Sequence, residues 1–262
     1  MQISEVIEYL EKIAPLHLQE SYDNAGLIIG DPTWQVKGIL TTLDVTEEVL
    51  EEALDLKCNL ILAHHPIIFN GLKQIRKSHH IGRAVIASIK NDLALYAIHT
   101  NLDNVLRNGV NEKIGDRLGL LNYQVLSMKD PSTPDIGSGL IGDLPEPMHM
   151  LDFIVHLKKT MTLSIIKHTA YKDELVQRIA LCGGSGRFLL ENAIAQNADV
   201  FISSDFKYHD FFEANNQICA IDIGHYESEQ YTKDLLQELI QRKFSNFAAY
   251  CSKVNTNPIN YK

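Results

Sequence analysis

The run Leu60-Ile61-Leu62-Ala63 is apolar without alternation. A run with no polar face fits a strand covered on both sides, which is how parallel α/β sheets bury their strands. It follows a segment in which Thr46, Glu47 and Glu48 open a helix whose apolar face is Val49, Leu50, Ala53 and Leu54. Strand-like and helix-like segments alternate around it, at 36–43, 45–56, 59–63, 81–91 and 93–98. The chain therefore reads as α/β.

Between 122 and 147 the pattern changes, because Pro131, Pro134, Pro145 and Pro147 with Gly137, Gly139 and Gly142 punctuate short runs. A lobe boundary is expected there. A second α/β series then runs through a strand at 177–181, a glycine-rich turn, a helix over 187–196 and strands at 200–202 and 220–223. Laying 45–66 over 184–205 sets helix on helix and His64-His65 on Ser203-Ser204, so the halves read as diverged copies. The expected architecture is a duplicated two-lobed α/β fold with mixed sheets. Its first lobe is 1–124 plus 226–262 and its second 125–225. Duplication would bring strand ends from both halves to one cleft, where open α/β sheets bind ligands, and a metal site is expected in that cleft between the lobes.

The chain has 262 residues, 45% of them hydrophobic, enough for a substantial core in one large domain or two joined lobes. A net charge of -9 argues against nucleic acid as the main partner, since phosphate binding needs clustered Lys and Arg. No run approaches the roughly 18 apolar residues of a membrane span. The first residues show no signal-peptide pattern; Val6, Leu10 and Ile13 recur at helical spacing instead. Cys58, Cys182, Cys219 and Cys251 lie far apart, without zinc-knuckle or redox spacing. A reducing cytoplasm is the expected setting.

Three polar clusters sit at expected strand C-termini. His64 and His65 end the buried strand, and Pro66 holds His65 extended. Neighbouring strand side chains point to opposite faces, so the pair can straddle two cations. His99 and Asp103 follow the next strand, and an Asp can bridge two cations through its two oxygens. His225 and Glu229 stand four apart in the first turn of a helix after Gly224, which puts imidazole and carboxylate on one face. Each cluster alone suits a plainer role: a packed histidine, a helix-capping Asp, a surface pair. Together they point to one site, with His64, His65, Asp103, His225 and Glu229 as metal ligands. Glu229, His99 and His209 are the candidate catalytic groups. Two divalent ions per chain are expected, with Zn, Fe, Mn, Co and Ni all compatible with the donor set, and hydrolysis is the chemistry such a pair suits.

Gly183-Gly184-Ser185-Gly186 follows a strand and opens a helix, so Gly184, Ser185 and Gly186 either cradle a phosphate or form a tight turn needing small residues. Lys207 is a further candidate substrate contact, and Lys207 and His209 read equally as exposed loop residues.

The stretches Tyr22-Asp23-Asn24-Ala25-Gly26-Leu27, Leu62-Ala63-His64-His65-Pro66-Ile67-Ile68-Phe69, His99-Thr100-Asn101-Leu102-Asp103 and Gly224-His225-Tyr226-Glu227-Ser228-Glu229 occur in this order. In these the chain resembles the Nif-three-like family, also labelled GTP cyclohydrolase 1 type 2 homologues, from about Tyr22 to Glu229. The Gly183–Gly186 turn and Lys207-Tyr208-His209 are similar to family counterparts as well. Tyr22 stands where Trp is commoner, and Ser203-Ser204 where Thr-Gly is usual. The resemblance implies two interlocked α/β lobes, a dinuclear centre on the five ligands above, a homo-oligomer that is often a ring-shaped hexamer, and a short form without the domain that longer members insert. It also implies a metal-dependent hydrolase acting on a small molecule, with a purine nucleotide such as GTP as its substrate class. The alternatives are a non-catalytic metal or metallocofactor-binding regulatory protein and, below it, a plain interaction module with an incidental metal.

Overall fold

The computed structural model describes residues 1–171 and 174–262. In chain order the elements are α1 (Ile3–Ile13), β1 (Gly26–Ile29), β2 (Ile39–Thr42), α2 (Glu47–Asp55), β3 (Leu60–Ala63), α3 (His80–Lys90), β4 (Ala94–Ala97), α4 (Thr100–Asp103), α5 (Val110–Leu118), β5 (Leu121–Met128), β6 (Gly137–His149) and α6 (Met150–Met161). There follow β7 (Lys167–His168), β8 (Leu175–Leu181), α7 (Leu190–Ala195), β9 (Val200–Ser203), β10 (Cys219–Asp222), α8 (His225–Glu229), α9 (Thr232–Lys243) and β11 (Ala249–Cys251). Two compact units result: Met1–Leu102 with Thr232–Pro258, and Asp103–Tyr231 with Ile259–Lys262. Among the described residues, no helix is long and apolar enough to cross a membrane.

In the first unit the strand order is β1-β4-β3-β2-β11, with β11, β2, β3 and β4 parallel and β1 antiparallel on β4. The unalternated runs behave as their composition requires: β2, β3 and β4 are buried along their whole length. The expected face of α2 supplies Val49, Leu50 and Ala53 to a core with Leu40, Ile61, Ala63, Ala84 and Leu95. Thr46 caps that helix, accepting from Val49 N at 3.4 Å. Each large apolar side chain buried there contributes roughly 1.5–3 kcal/mol, against about 1 kcal/mol for a cap. Packing dominates, and the cap sets where the helix begins.

The second unit has a six-stranded sheet of order β5-β6-β8-β9-β10-β7. Strands β8, β9 and β10 are parallel, while β5, β6 and β7 pair antiparallel. Both sheets are thus mixed, with four parallel strands in the first and three in the second, and the trio β2-β3-β4 matches the trio β8-β9-β10. Equivalent backbone bonds fix the correspondence between the trios. Ile98 N donates to Ala63 O and Ile223 N to Ser203 O, each at 3.0 Å, and Ala94 N donates to Asn59 O as Cys219 N does to Asp199 O. His64 and His65 therefore correspond to Ser204 and Asp205, one residue beyond the pairing expected from sequence. The slip arises at Ser203, which looks like a polar strand end. It is instead fully buried in the strand, its hydroxyl donating to Gly184 O at 3.0 Å and accepting from Gly186 N at 2.9 Å.

Two boundaries differ from expectation. The proline- and glycine-punctuated stretch is no lobe boundary: it forms β5 and β6 in the second sheet. Strand β6 accommodates Pro145 and Pro147 because its pairing with β8 is interrupted between Asp143 and Met148, where prolines can withhold their missing donors. The first unit also ends at Leu102 rather than 124, because α5 packs on α6 and β6 through a face that buries Val110, Ile114 and Leu118. The expected helix over 187–196 is a 3-10 turn, Arg187–Leu189, followed by the short α7.

Candidate metal centre

In the first unit, the backbone of His64 and His65 continues the pairing of β3 with β2, His64 N donating to Thr42 O at 3.2 Å and His65 N to Leu43 O at 3.0 Å. The two imidazoles and that of His99 form a triangle with ring centroids 4.9, 5.2 and 5.3 Å apart. One nitrogen from each lies within 4.8 Å of the others.

Each ring is oriented through Nδ1. His64, fully buried, has Nδ1 2.9 Å from Ile98 O. His65 has Nδ1 2.7 Å from Asp44 Oδ1, and His99 has Nδ1 2.8 Å from Asp23 Oδ1. A carbonyl or an ionised carboxylate only accepts, so each Nδ1 carries a hydrogen, and in the neutral ring the lone pair then lies on Nε2. Both carboxylates are held ionised. Burial opposes the charge on Asp23, but hydrogen bonds from His99 and Thr100 overcome it and bring its pKa to about 2. Burial likewise opposes the charge on Asp44, and His65 with the Thr256 hydroxyl pulls its carboxyl below the usual range.

The second unit supplies mostly oxygen. Helix α8 begins after Gly224, and its i, i+4 pair places His225 Nε2 3.0 Å from Glu229 Oε2, as the spacing predicts. His225 Nδ1 lies 2.7 Å from Asp205 Oδ2. Burial works against a charge on this imidazole, yet the two carboxylates keep it protonated up to about 11. Two carboxylates around one ring demand positive charge, which a proton meets and a divalent cation would meet better. Carboxylate oxygens of Asp103 and Glu229 lie within 4.8 Å of one another. Between them, Asn111 accepts from Gly183 N at 3.0 Å and donates to Asp103 O at 3.1 Å. Burial first, then the charges of Asp103 and Glu229, push the Cys182 thiol up, so it stays protonated as an inert core residue.

The glycine turn serves Glu229. Gly184 has φ +61°, and a Cβ there would stand 2.3 Å from Glu229 Oε1. Its three glycine amides are donated within the protein: Gly183 N to Asn111, Gly184 N to the Ser228 hydroxyl at 2.9 Å, and Gly186 N to the Ser203 hydroxyl. The tight-turn reading accounts for the three glycine amides, and Ser185 is exposed. Lys207 and His209 are exposed on the 3-10 segment Tyr208–Ala214 and its cap, and the His209 ring contacts Tyr208 and Phe212. His99 groups with His64 and His65.

The donors fit divalent cations: imidazole nitrogens oriented through Nδ1 in one unit, and buried Glu229 with half-buried Asp103 in the other. The orienting carboxylates Asp23, Asp44 and Asp205 were not legible as such. Asp23 stood in a recognised motif, and Asp44 and Asp205 each follow a strand by two residues, a weak signal.

Fold and side chains define a class: a protein of two α/β units whose parallel strands end in carboxylate-backed histidines and acids. The chain belongs to the Duf34/NIF3 (NGG1p interacting factor 3) family, whose model matches residues 1–258. It is 35% identical over 232 residues to a GTP cyclohydrolase 1 type 2 homolog of Clostridium perfringens, covering 87% of each chain. It is 29% identical over 369 residues to a homolog of the same name from Staphylococcus epidermidis, covering 100% of both. That span exceeds the 262 residues of this chain, so this relative has residues that the chain lacks. Among solved structures, the Staphylococcus aureus hypothetical protein SA1388 superposes with a TM-score of 0.92 at 29% identity, covering 100% of this chain and 99% of that one.

Proposed function

We propose that this protein is a metal-dependent hydrolase of a purine nucleotide, with two divalent ions, Zn, Fe or Mn, held by His64, His65, Asp103, His225 and Glu229. The observation that supports it most is the common orientation of the histidines: His64, His65 and His225 each commit Nδ1 to a carbonyl or carboxylate. This is the arrangement by which proteins fix and strengthen imidazole ligands. The names of the relatives supply the nucleotide. Bound, such ions would polarise the substrate and lower the pKa of a water. The chain's own residues fix the ligands: Asp44 and Asp205 hold the imidazoles, and the Gly183-Gly184 turn gives the Glu229 carboxylate its room. His99, backed by Asp23, is placed beside His64 and His65 to hold or pass a proton at Nε2.

A homo-oligomer, as a hexameric ring, and a reducing cytoplasmic setting belong to the same reading. All four cysteines are free, and Cys58, Cys182 and Cys219 are buried, as a reducing setting favours. Sedimentation of the metal-loaded protein checks the assembly. The function is tested by elemental analysis of untagged, chelator-free protein, followed by GTP turnover with each candidate metal. About two ions per chain and turnover lost in Glu229→Ala are expected. Metal without turnover of any nucleotide would leave a metal or metallocofactor carrier. Failure to take up Zn, Mn or Fe would end both readings.

A further inference from the structure

From Leu56 to Asn91 the chain contains no Asp or Glu, but it carries Lys57, Lys73, Arg76, Lys77, Arg83 and Lys90. In a chain with 33 acidic and 24 basic residues this is a local inversion of charge. Its centre, 69–80, is exposed at every position and precedes α3 as an irregular loop. The loop is pinned at both ends. Asn24 Nδ2 donates to Ile68 O at 2.7 Å, tying its start to the Tyr22 segment. At its far end Gly82 lies under Arg76, where a Cβ would stand 2.1 Å from the Arg76 carbonyl oxygen. Arg83 donates to Glu47 at 2.6 Å and to Lys77 O at 3.2 Å, so it braces the loop and leaves Lys73, Arg76 and Lys77 to face solvent.

The base of the loop is aromatic. Phe69 and Tyr22 are 41% and 63% exposed, with ring centroids 6.3 Å apart and planes 25° from parallel. On its other side Phe69 meets His99 edge-on, at 5.7 Å. Two exposed rings beside the histidine triangle, continued by a cationic loop, are matched in order by a flat heteroaromatic ring continued by a polyphosphate. Aromatic faces take the ring, and lysine and arginine take phosphate oxygens through charge-assisted hydrogen bonds. In the glycine turn after β8, the Gly183, Gly184 and Gly186 amides are donated within the protein.

We infer that Tyr22 and Phe69 stack the base of a nucleotide beside His99 and that Lys73, Arg76 and Lys77 hold its polyphosphate. This rests on the nucleotide reading above and assigns its recognition to the first unit. A nucleic-acid strand would use the same chemistry, but the net charge of -9 opposes a long polyanion.

The test is calorimetric titration of the metal-loaded full chain with guanosine, inorganic triphosphate, a β,γ-imido analogue of GTP and a single-stranded oligonucleotide. The triple charge reversal Lys73→Glu, Arg76→Glu, Lys77→Glu is expected to weaken the GTP analogue and triphosphate by about tenfold or more and to leave guanosine binding unchanged. Phe69→Ala is expected to weaken guanosine and the GTP analogue by roughly tenfold and to spare triphosphate. Circular dichroism and metal content matching the parent separate these effects from misfolding. Parent-like binding of triphosphate by the charge-reversed chain, binding of no probe, or preference for the oligonucleotide would each overturn the inference. The hydrolase reading fails separately: loop-dependent binding without turnover removes the hydrolase and keeps the loop, whereas GTP turnover with unchanged KM in the charge-reversed chain does the reverse.

Discussion

The ends of β3 and β9 are the same place in two copies of one fold, and they carry different chemistry. At β3 the chain continues as His64-His65, and at β9 as Ser204-Asp205. In the first unit the strand end supplies imidazoles, and the orienting carboxylate, Asp44, comes from the end of β2. In the second the strand end supplies the orienting carboxylate, Asp205, and the imidazole, His225, comes from α8 beyond β10. Both units pair a histidine with an aspartate, but at different positions: the second residue after the middle strand is the histidine in one and the aspartate in the other, and its partner comes from a different neighbouring strand. The first unit became rich in nitrogen and the second in oxygen, so each alone is an incomplete donor set for the proposed centre.

The most severe way to break this complementarity is to remove one donor from each side. His64→Ala with Glu229→Ala should abolish retained metal and reduce turnover by about a thousandfold or more, read by elemental analysis and GTP assay. A complete metal complement in this variant would show that neither residue is a ligand. Next come the orienting partners. Asp44→Asn and Asp205→Asn should each lower metal affinity by about 10–100-fold, measured by chelator competition. If only one has an effect, the two copies do not share the device.

Gly184→Ala probes the second unit alone. Left-handed backbone at a non-glycine residue costs roughly 1–3 kcal/mol, and the new methyl would displace Glu229. Thermal unfolding should shift downward by several degrees, on the order of 2–4 °C per kcal/mol for a chain approaching this size, with metal affinity falling in parallel. An unchanged melting temperature would contradict the close approach to Glu229.

The smallest effects separate the units by pH, in metal-free protein. The folded pKa of Asp23, about 2, lies below its ordinary 3.8, so its stabilisation is present above pH 3.8 and is lost as pH falls through 2. The folded pKa of His225, about 11, lies above 6.5, so its stabilisation is complete below pH 6.5 and is lost as pH rises through 11. Asp23→Asn should therefore flatten only the acid limb of denaturant stability, whereas Asp205→Asn, which removes a partner of His225 and a carboxyl that His225 holds below its usual range, should flatten the alkaline limb as well. An alkaline limb flattened by Asp23→Asn and not by Asp205→Asn would refute the assignment.

Much of this was legible because it is local. Period and composition placed β2, β3 and β4 in the first unit and β8, β9 and β10 in the second, Thr46 marked the start of α2, and i, i+4 spacing brought His225 to Glu229 within one helix. The stretch 122–147 misled because proline and glycine signal interruption without saying whether a chain leaves a sheet or merely bulges within it. Ser203 misled because a hydroxyl looks exposed until its partners, Gly184 and Gly186, are known. The glycine turn could be read two ways until the acceptors of its amides were visible.

By itself the sequence determined the α/β class, the alternation that buries β2, β3 and β4, the order of the histidine and carboxylate motifs, and the charge inversion between Leu56 and Asn91. All of these follow from the identity of neighbouring residues. Only the tertiary structure decided that Asp23 backs His99, that Asp44 backs His65 and Asp205 backs His225, and that Gly184 yields its place to Glu229. Those pairings join residues 76, 21 and 20 positions apart, and more than forty for the last. No periodicity encodes such distances; they exist only once neighbouring strands, parallel or antiparallel, bring their ends together.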